Sequence, residues 1–228
     1  MNLNQAIVVI TGGSRGLGRA LAERFIGAGA IVFISSKDKA ELEKIAVEIG
    51  AQAIAFDVRN ETEVIKAGQT VVGSHGKIDI WINNAGVWLP HAPIEKMDMN
   101  RVHDMVEVNL FGTIYGSKFA LQQMRRQGSG VIVNILSTSA LTGRAYSSGY
   151  CASKYAAVGF TNTLRLEAEP DHIKVISVYP GGMKTNLFDE AKPENYGEFM
   201  KTEDVAEKIV GNLEQDNPDD EQIIKRPS

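Results

Sequence analysis

The sequence predicts an α/β fold: a single domain, residues 1–228, built on a doubly wound parallel sheet with helices on both faces. Two observations carry this. Short runs rich in β-branched residues alternate with longer stretches of helical spacing, which implies βαβ units and a sheet covered on both sides. The right-handed crossover rule then leaves a doubly wound sheet as the economical topology. No internal repeat, low-complexity tract or credible linker interrupts the pattern.

In chain order, a strand over 6–10 leads through a glycine-rich turn into a helix over 17–26. A strand over 31–35, a charged helix over 38–49 and a short strand over 51–56 follow. Residues 61–72 read as helix, 78–82 as strand, and 101–126 as one long helix stopped by Gly128 and Gly130. A strand over 131–136, a helix over 150–169 and a strand over 175–179 come next, Pro180 ending the last. A final helix spans 202–213, with Thr202 as its cap and Glu203 and Asp204 at its positive end. The polar stretch 216–220 reads as a surface loop before a short strand over 222–225.

Composition narrows the function classes. The 228 residues are 43% hydrophobic, with 24 Lys and Arg against 28 Asp and Glu, a net charge of −4. Apolar content is too high and charge too low for a disordered chain. No clustered basic face points to nucleic acid or a membrane surface as partner. The single Cys151 cannot form an internal disulfide, and the four histidines show no metal-ligand spacing, so no metal is expected. The N-terminus lacks a basic start and apolar stretch, and no apolar run is long enough to span a bilayer, which makes the cytoplasm the expected compartment.

Glycine is the compositional outlier, at 22 residues. Several fall in Thr11-Gly12-Gly13-Ser14-Arg15-Gly16-Leu17-Gly18, between the first strand and the first helix. Glycines there let backbone N–H groups approach a pyrophosphate at a helix N-terminus, whose dipole favours negative charge. The spacing is G-x-x-x-G-x-G rather than the general G-x-G-x-x-G of dinucleotide sites. At the end of the second strand an acid would accept from a ribose 2′-OH and repel a 2′-phosphate. The chain instead reads Ser35-Ser36-Lys37, so Ser36, Lys37 and Arg15 favour NADP(H) over NAD(H). A solvated residue entering a helix is the other reading of Lys37.

These motifs resemble the short-chain dehydrogenase/reductase family over residues 6–190. The glycine turn, Asn83-Asn84-Ala85-Gly86, Asn109, Ser137, Tyr150-x-x-x-Lys154 and Pro180-Gly181-x-x-x-Thr185 occur in the family's order. The resemblance implies a Rossmann-type fold, a cofactor half over about 1–125, a catalytic half over about 126–228, and a homodimer or homotetramer. Thr138 and Ser139 neighbour Ser137, and the choice among them follows the family's thirteen-residue gap to Tyr150. Gly12, Ser14, Arg15, Gly16, Leu17, Gly18, Ser36, Lys37, Asp57, Val58, Asn84, Ala85, Gly86, Tyr150, Lys154, Pro180, Gly181 and Thr185 are the expected cofactor residues. Asn83 is also readable as a tie between strands, and Thr185 as a helix cap. Against the family pattern, only Arg226-Pro227-Ser228 follow the last strand, and the segment between Thr185 and Thr202 is short, which implies a small lid.

The chemistry stands beside the name. Tyr150 and Lys154 are four apart and share one helix face. A free phenol near pKa 10 is a poor acid–base group at neutral pH, and bringing it near 7 takes about 4 kcal/mol. An adjacent ammonium and an oxidised nicotinamide both act in that direction. Ser137 would polarise a carbonyl, and Asn109 and Lys154, by resemblance, complete a proton relay. Together these imply an NADP(H)-dependent reductase of a ketone or aldehyde, reversible as an alcohol dehydrogenase, with Trp88 and Tyr146 bordering the small-molecule substrate. A 3-oxoacyl-carrier-protein reductase is one substrate assignment, and a dinucleotide-sensing protein without turnover is the alternative class.

Overall fold

The computed structural model describes residues 1–226; Pro227 and Ser228, the expected end of the chain, lie outside the described residues. Seven parallel strands form one sheet: β1 (Ile7–Thr11), β2 (Ile31–Ser35), β3 (Gln52–Ala53), β4 (Ile80–Asn83), β5 (Val131–Ile135), β6 (Lys174–Pro180) and β7 (Glu221–Ile224). Their spatial order is β3-β2-β1-β4-β5-β6-β7, so the chain reverses direction of growth between β1 and β4. In open α/β sheets the crevice at that switch point, at the carboxyl ends of the strands, is where ligands bind.

The helices α1 (Gly16–Gly27), α2 (Lys39–Ile49), α3 (Glu61–His75), α4 (Met99–Val106), α5 (Gly112–Gln127), α6 (Ser148–Ala168) and α7 (Thr202–Glu214) cover the sheet. Every residue of β1, β4 and β5 is buried, as a strand sandwiched between two helical layers must be. Val8 and Ile10 face one apolar cluster with Leu21, Phe25 and Val210, while Val9 faces the other with Val71, Trp81 and Phe119. The period-two alternation of strands thus feeds two cores from one sheet.

Caps set the helix starts. Asp38 accepts from the Glu41 N–H at α2, and Asn60 from the Glu63 N–H at α3. The expected Thr202 cap is corrected: Lys201 holds the cap position, no side chain caps α7, and Thr202 is a buried first-turn residue. The strand expected over 51–56 pairs only at Gln52–Ala53, because it lies at the sheet edge and the chain then turns inward to bury Phe56. The helix expected over 101–126 starts earlier, at Met99, where Asp98 accepts from Asn100 and Arg101 N–H groups. A π-helical turn, Glu107–Phe111, then separates α4 from α5. Such turns cluster at functional sites, and this one carries Asn109.

Beneath the switch point lies a buried polar network. The Asn83 amide donates to Asn134 Oδ1 (2.8 Å) and Ser117 Oγ (2.9 Å), and its oxygen accepts from Trp81 Nε1 (2.8 Å). Asn134 donates onward to Thr161 Oγ1 at 3.0 Å. The network ties β4 to β5 and both strands to α5 and α6, so Asn83 is a strand tie rather than a cleft residue. Satisfied networks of this kind fix one arrangement, since any other would leave buried amides unpaired.

Candidate active site

The carboxyl ends of β1 and β4 are stitched together. Asn84 Nδ2 donates to the carbonyls of Thr11 (2.9 Å) and Gly12 (3.0 Å), while Thr11 Oγ1 accepts from the N–H groups of Asn84 and Ala85 (3.0 Å each). Gly12 has φ +64° and Gly16 φ +55°, the left-handed region glycine tolerates best. A Cβ on Gly12 would come within 2.9 Å of the Ala85 backbone. The turn is therefore pressed flat against the end of β4, and α1 begins with no side-chain cap and no acid in its first turn. Its N–H groups remain available to an anion.

A cleft of about 470 Å³ runs over this edge. At one end stand Gly12, Ser14, Arg15, Gly16 and Leu17 with Ser36 and Lys37. Asp57 and Val58 flank them, and Asn84, Ala85 and Gly86 form the neighbouring wall. Pro180, Gly181 and Thr185 line it from the β6 side. Gly18 does not line it: a Cβ there would sit 2.2 Å from the Gly12 carbonyl oxygen, so Gly18 is a packing residue beneath the turn. The Asp57 carboxylate is taken up by Arg59, whose guanidinium holds it well below the usual carboxylate range (Nη2–Oδ2 2.7 Å). Ser35 was not singled out from sequence. Its hydroxyl is fully buried, lines the cleft and has no hydrogen-bond partner.

At the other end, Ser137, Tyr150 and Lys154 line the same cleft. Ser137 follows β5, its oxygen accepting from the Ser139 N–H at 3.1 Å. Lys154, buried one turn after Tyr150 on α6, donates to the Ile135 carbonyl at 3.0 Å. Burial pushes the Lys154 ammonium down to about 8. Burial also raises the Tyr150 phenol above its ordinary value, the Ser137 hydroxyl acting the other way. The lowering expected from the Lys154 charge is thus corrected. Loss of water disfavours the charged forms of both groups, and the ammonium is directed at a carbonyl of β5.

Asn109 does not reach the cleft. Its oxygen accepts from Val87 N–H (2.8 Å), and its amide donates to the Val87 carbonyl (2.9 Å) and to Ser153 Oγ (3.1 Å). Ser153 in turn donates to the Tyr150 carbonyl at 2.8 Å, so Asn109 clamps the post-β4 loop onto α6. Its own carbonyl accepts from Thr113 Oγ1 at 3.0 Å. Trp88 lines the cleft, whereas Tyr146 lines a smaller neighbouring chamber. Cys151 is a buried free thiol on α6.

Above the cleft, residues 183–200 form a loop closed at its base. Lys184 N–H donates to the Met200 carbonyl (2.9 Å), and Met200 N–H to the Gly182 carbonyl (3.0 Å). Within it, Phe188 packs on Tyr196 and Phe199, and its ring centroid lies 5.0 Å from that of Trp88. Phe199 and Arg144 line the cleft without having been found from sequence; no motif spacing marks them. Among the described residues, no cluster of three or more potential metal ligands occurs, and no helix is long and apolar enough to cross a membrane.

One stability consequence follows from Lys154. Between about pH 8 and 10.5 the unfolded lysine binds a proton that the native one has released, so stability rises with pH across that window. The full swing is about 3 kcal/mol. Urea melts at intervals from pH 7 to 10.5 should show wild type gaining on Lys154→Met as pH rises; a flat difference would remove the buried-ammonium account.

A parallel sheet reversing at β1 and β4, with an uncapped helix and a glycine turn at the reversal, defines a Rossmann-type α/β protein. The family model described as short chain dehydrogenase matches residues 6–195. The chain is 33% identical over 209 residues to a 3-ketodihydrosphingosine reductase of Bacteroides thetaiotaomicron, covering 91% of this chain and 74% of that protein. It is 32% identical over 235 residues to a sepiapterin reductase of Chlorobaculum tepidum, covering 97% and 96%. A solved structure of 3-ketoacyl-(acyl-carrier-protein) reductase from Brucella melitensis, complexed with NADH, superposes with a TM-score of 0.91 at 27% identity, covering 97% of each chain. The chain belongs to the short-chain dehydrogenase family, and it is an oxidoreductase of C=O and CH–OH groups.

Proposed function

We propose that the protein is an NADP(H)-dependent carbonyl reductase in which Tyr150 moves the proton. The observation that carries this is the shared cleft: Ser137, Tyr150 and Lys154 line one end of the crevice whose other end is the glycine turn. The residues at that far end fit a dinucleotide. The flat turn would be filled by a Cβ, the α1 N–H groups are free for a pyrophosphate, and the orphaned Ser35 hydroxyl calls for a polar ligand.

When bound, the cofactor supplies hydride to the carbonyl carbon. Ser137 holds the carbonyl oxygen, and its hydroxyl dipole favours the negative charge that develops there. Tyr150, kept neutral by burial, is already in the protonated form that carbonyl reduction needs from a general acid. Lys154, still largely an ammonium at pH 7 and held by the Ile135 carbonyl, lines the same end of the cleft, where it can donate to a cofactor hydroxyl. Asn109 is a positioning residue: through Ser153 it fixes the start of α6 and hence Tyr150.

Lys37, Ser36 and Arg15 line the end of the cleft that a 2′-phosphate would occupy, and the two acids that line the same cleft, Asp57 and Asp104, both pair with Arg59. A charge-assisted bond of this kind contributes roughly 1.5–3 kcal/mol. Lys37→Ala is therefore expected to weaken NADPH by about 10- to 100-fold and NADH by no more than about twofold. Equal losses in a fluorescence titration would sink the phosphate assignment. The same reading places one catalytic domain in the cytoplasm as a dimer or tetramer. Exposed Tyr155 and Leu166 on α6 support self-association. A panel of ketones and aldehydes, followed by loss of the reduced-nicotinamide absorbance, tests the activity itself; no turnover with any member would favour a sensor.

A further inference from the structure

Beside the main cleft lies a second chamber of about 190 Å³. Leu89, Ala92, Met97, Val102, Met105 and Tyr146 give it an apolar lining drawn from the post-β4 loop, α4 and the approach to α6. His91, Ser147 and Tyr150 line both cavities, so the two spaces adjoin along those residues. Of the charged residues that line the chamber, Arg101 pairs with Glu190, the Asp98 carboxylate accepts from backbone N–H groups of α4, and Lys96 adds a further ammonium.

The backbone holds this chamber open. Tyr146 has φ +63°, a conformation uncommon for a bulky side chain. Its carbonyl accepts from the Ala92 N–H at 2.9 Å, which fixes the spacing of the two loops that form opposite walls. Tyr146 nevertheless remains 61% exposed, so core packing does not explain the strained backbone. Strain of this kind concentrates where a site needs a side chain held in one direction.

We propose that this chamber receives an apolar substituent of the carbonyl substrate, about the size of a phenyl ring and joined by a short linker to the reacting carbon. The inference rests on Tyr150 being the proton donor, since that residue borders both spaces. Size favours a ring, because an apolar cavity of about 150 Å³ takes up benzene. The six apolar side chains of the lining favour a neutral group, because an ion would lose its hydration among them. The shared lining, which includes Tyr150, sets the chamber against the reacting end of the cleft and favours a part of the substrate over a separate ligand.

The test compares butan-2-one with 4-phenylbutan-2-one, binding being read by calorimetric titration of the purified chain and NADPH oxidation being followed on the same samples. The phenyl ketone should bind about tenfold or more tightly than butan-2-one. Ala92→Phe, which fills the chamber, should erase that preference, bringing the ratio of the two affinities to about one. Leu141→Ala, at an exposed position lining neither cavity, should keep it. Should Ala92→Phe fail to fold, Tyr146→Ala, which removes one wall, should reduce the preference. No preference in the wild type, or one that survives both chamber variants, overturns the proposal. Binding is read without turnover, so failure of NADPH oxidation alone would count against the Tyr150 assignment and leave the chamber result standing.

Discussion

Tyr150→Phe should lower turnover of any carbonyl substrate by roughly 10²- to 10⁴-fold, the range that a positioned general acid contributes. Dinucleotide affinity should stay nearly unchanged, because the substitution removes one hydroxyl and keeps the ring. Ser137 and Lys154 remain in place, Lys154 being held by the Ile135 carbonyl rather than by the phenol. Turnover numbers from NADPH oxidation, set beside dissociation constants from fluorescence titration, separate the two effects. A variant retaining more than about a tenth of wild-type turnover would remove the phenol from the reaction.

The second large effect is expected at Gly18. By helix propensity alone, Gly18→Ala within α1 should stabilise the chain by about 0.5–1 kcal/mol. The geometry opposes this. The new methyl would lie 2.2 Å from the Gly12 carbonyl oxygen and 2.5 Å from Asn84 Nδ2, neither at the end of a long flexible side chain. Overpacking costs about 1–3 kcal/mol, and displacing Asn84 breaks its bonds to Thr11 and Gly12, worth about 1 kcal/mol each. The clash wins. Urea denaturation should show a net loss of a few kcal/mol, and dinucleotide binding should collapse with the turn. A neutral or stabilised variant would show that the turn can rearrange freely.

The sheet and most helices were legible because burial on both faces leaves so little choice. Ile7, Val8, Val9 and Ile10 run together without a polar residue between them, and Asp38 and Asn60 announce the helices they cap. The two ends of the cleft were legible from motif residues that fall at strand termini. Other features depend on distant partners. At the π-helical turn the Asn109 side chain bonds Val87 and Ser153, which lie 22 and 44 residues away and which local spacing does not reveal. The shortness of β3 comes from its edge position, which local propensity does not encode. Thr202 has the chemistry of a cap, yet the chain enters α7 one residue earlier and buries it. The Tyr150 environment was misjudged for a related reason. Sequence spacing showed the neighbouring ammonium, whereas desolvation and the Ile135 acceptor emerge only from packing.

The paired backbone bonds between the Met183 and Met200 neighbourhoods have a consequence for divergence. Because that clasp closes the roofing loop on itself, insertions or deletions inside it need not propagate into β6 or α7. Extending such a closed loop adds little entropic penalty, about 0.6 kcal/mol per doubling of length. The roof is thus an exchangeable cassette, through which one unchanged chassis can be retuned to new substrates.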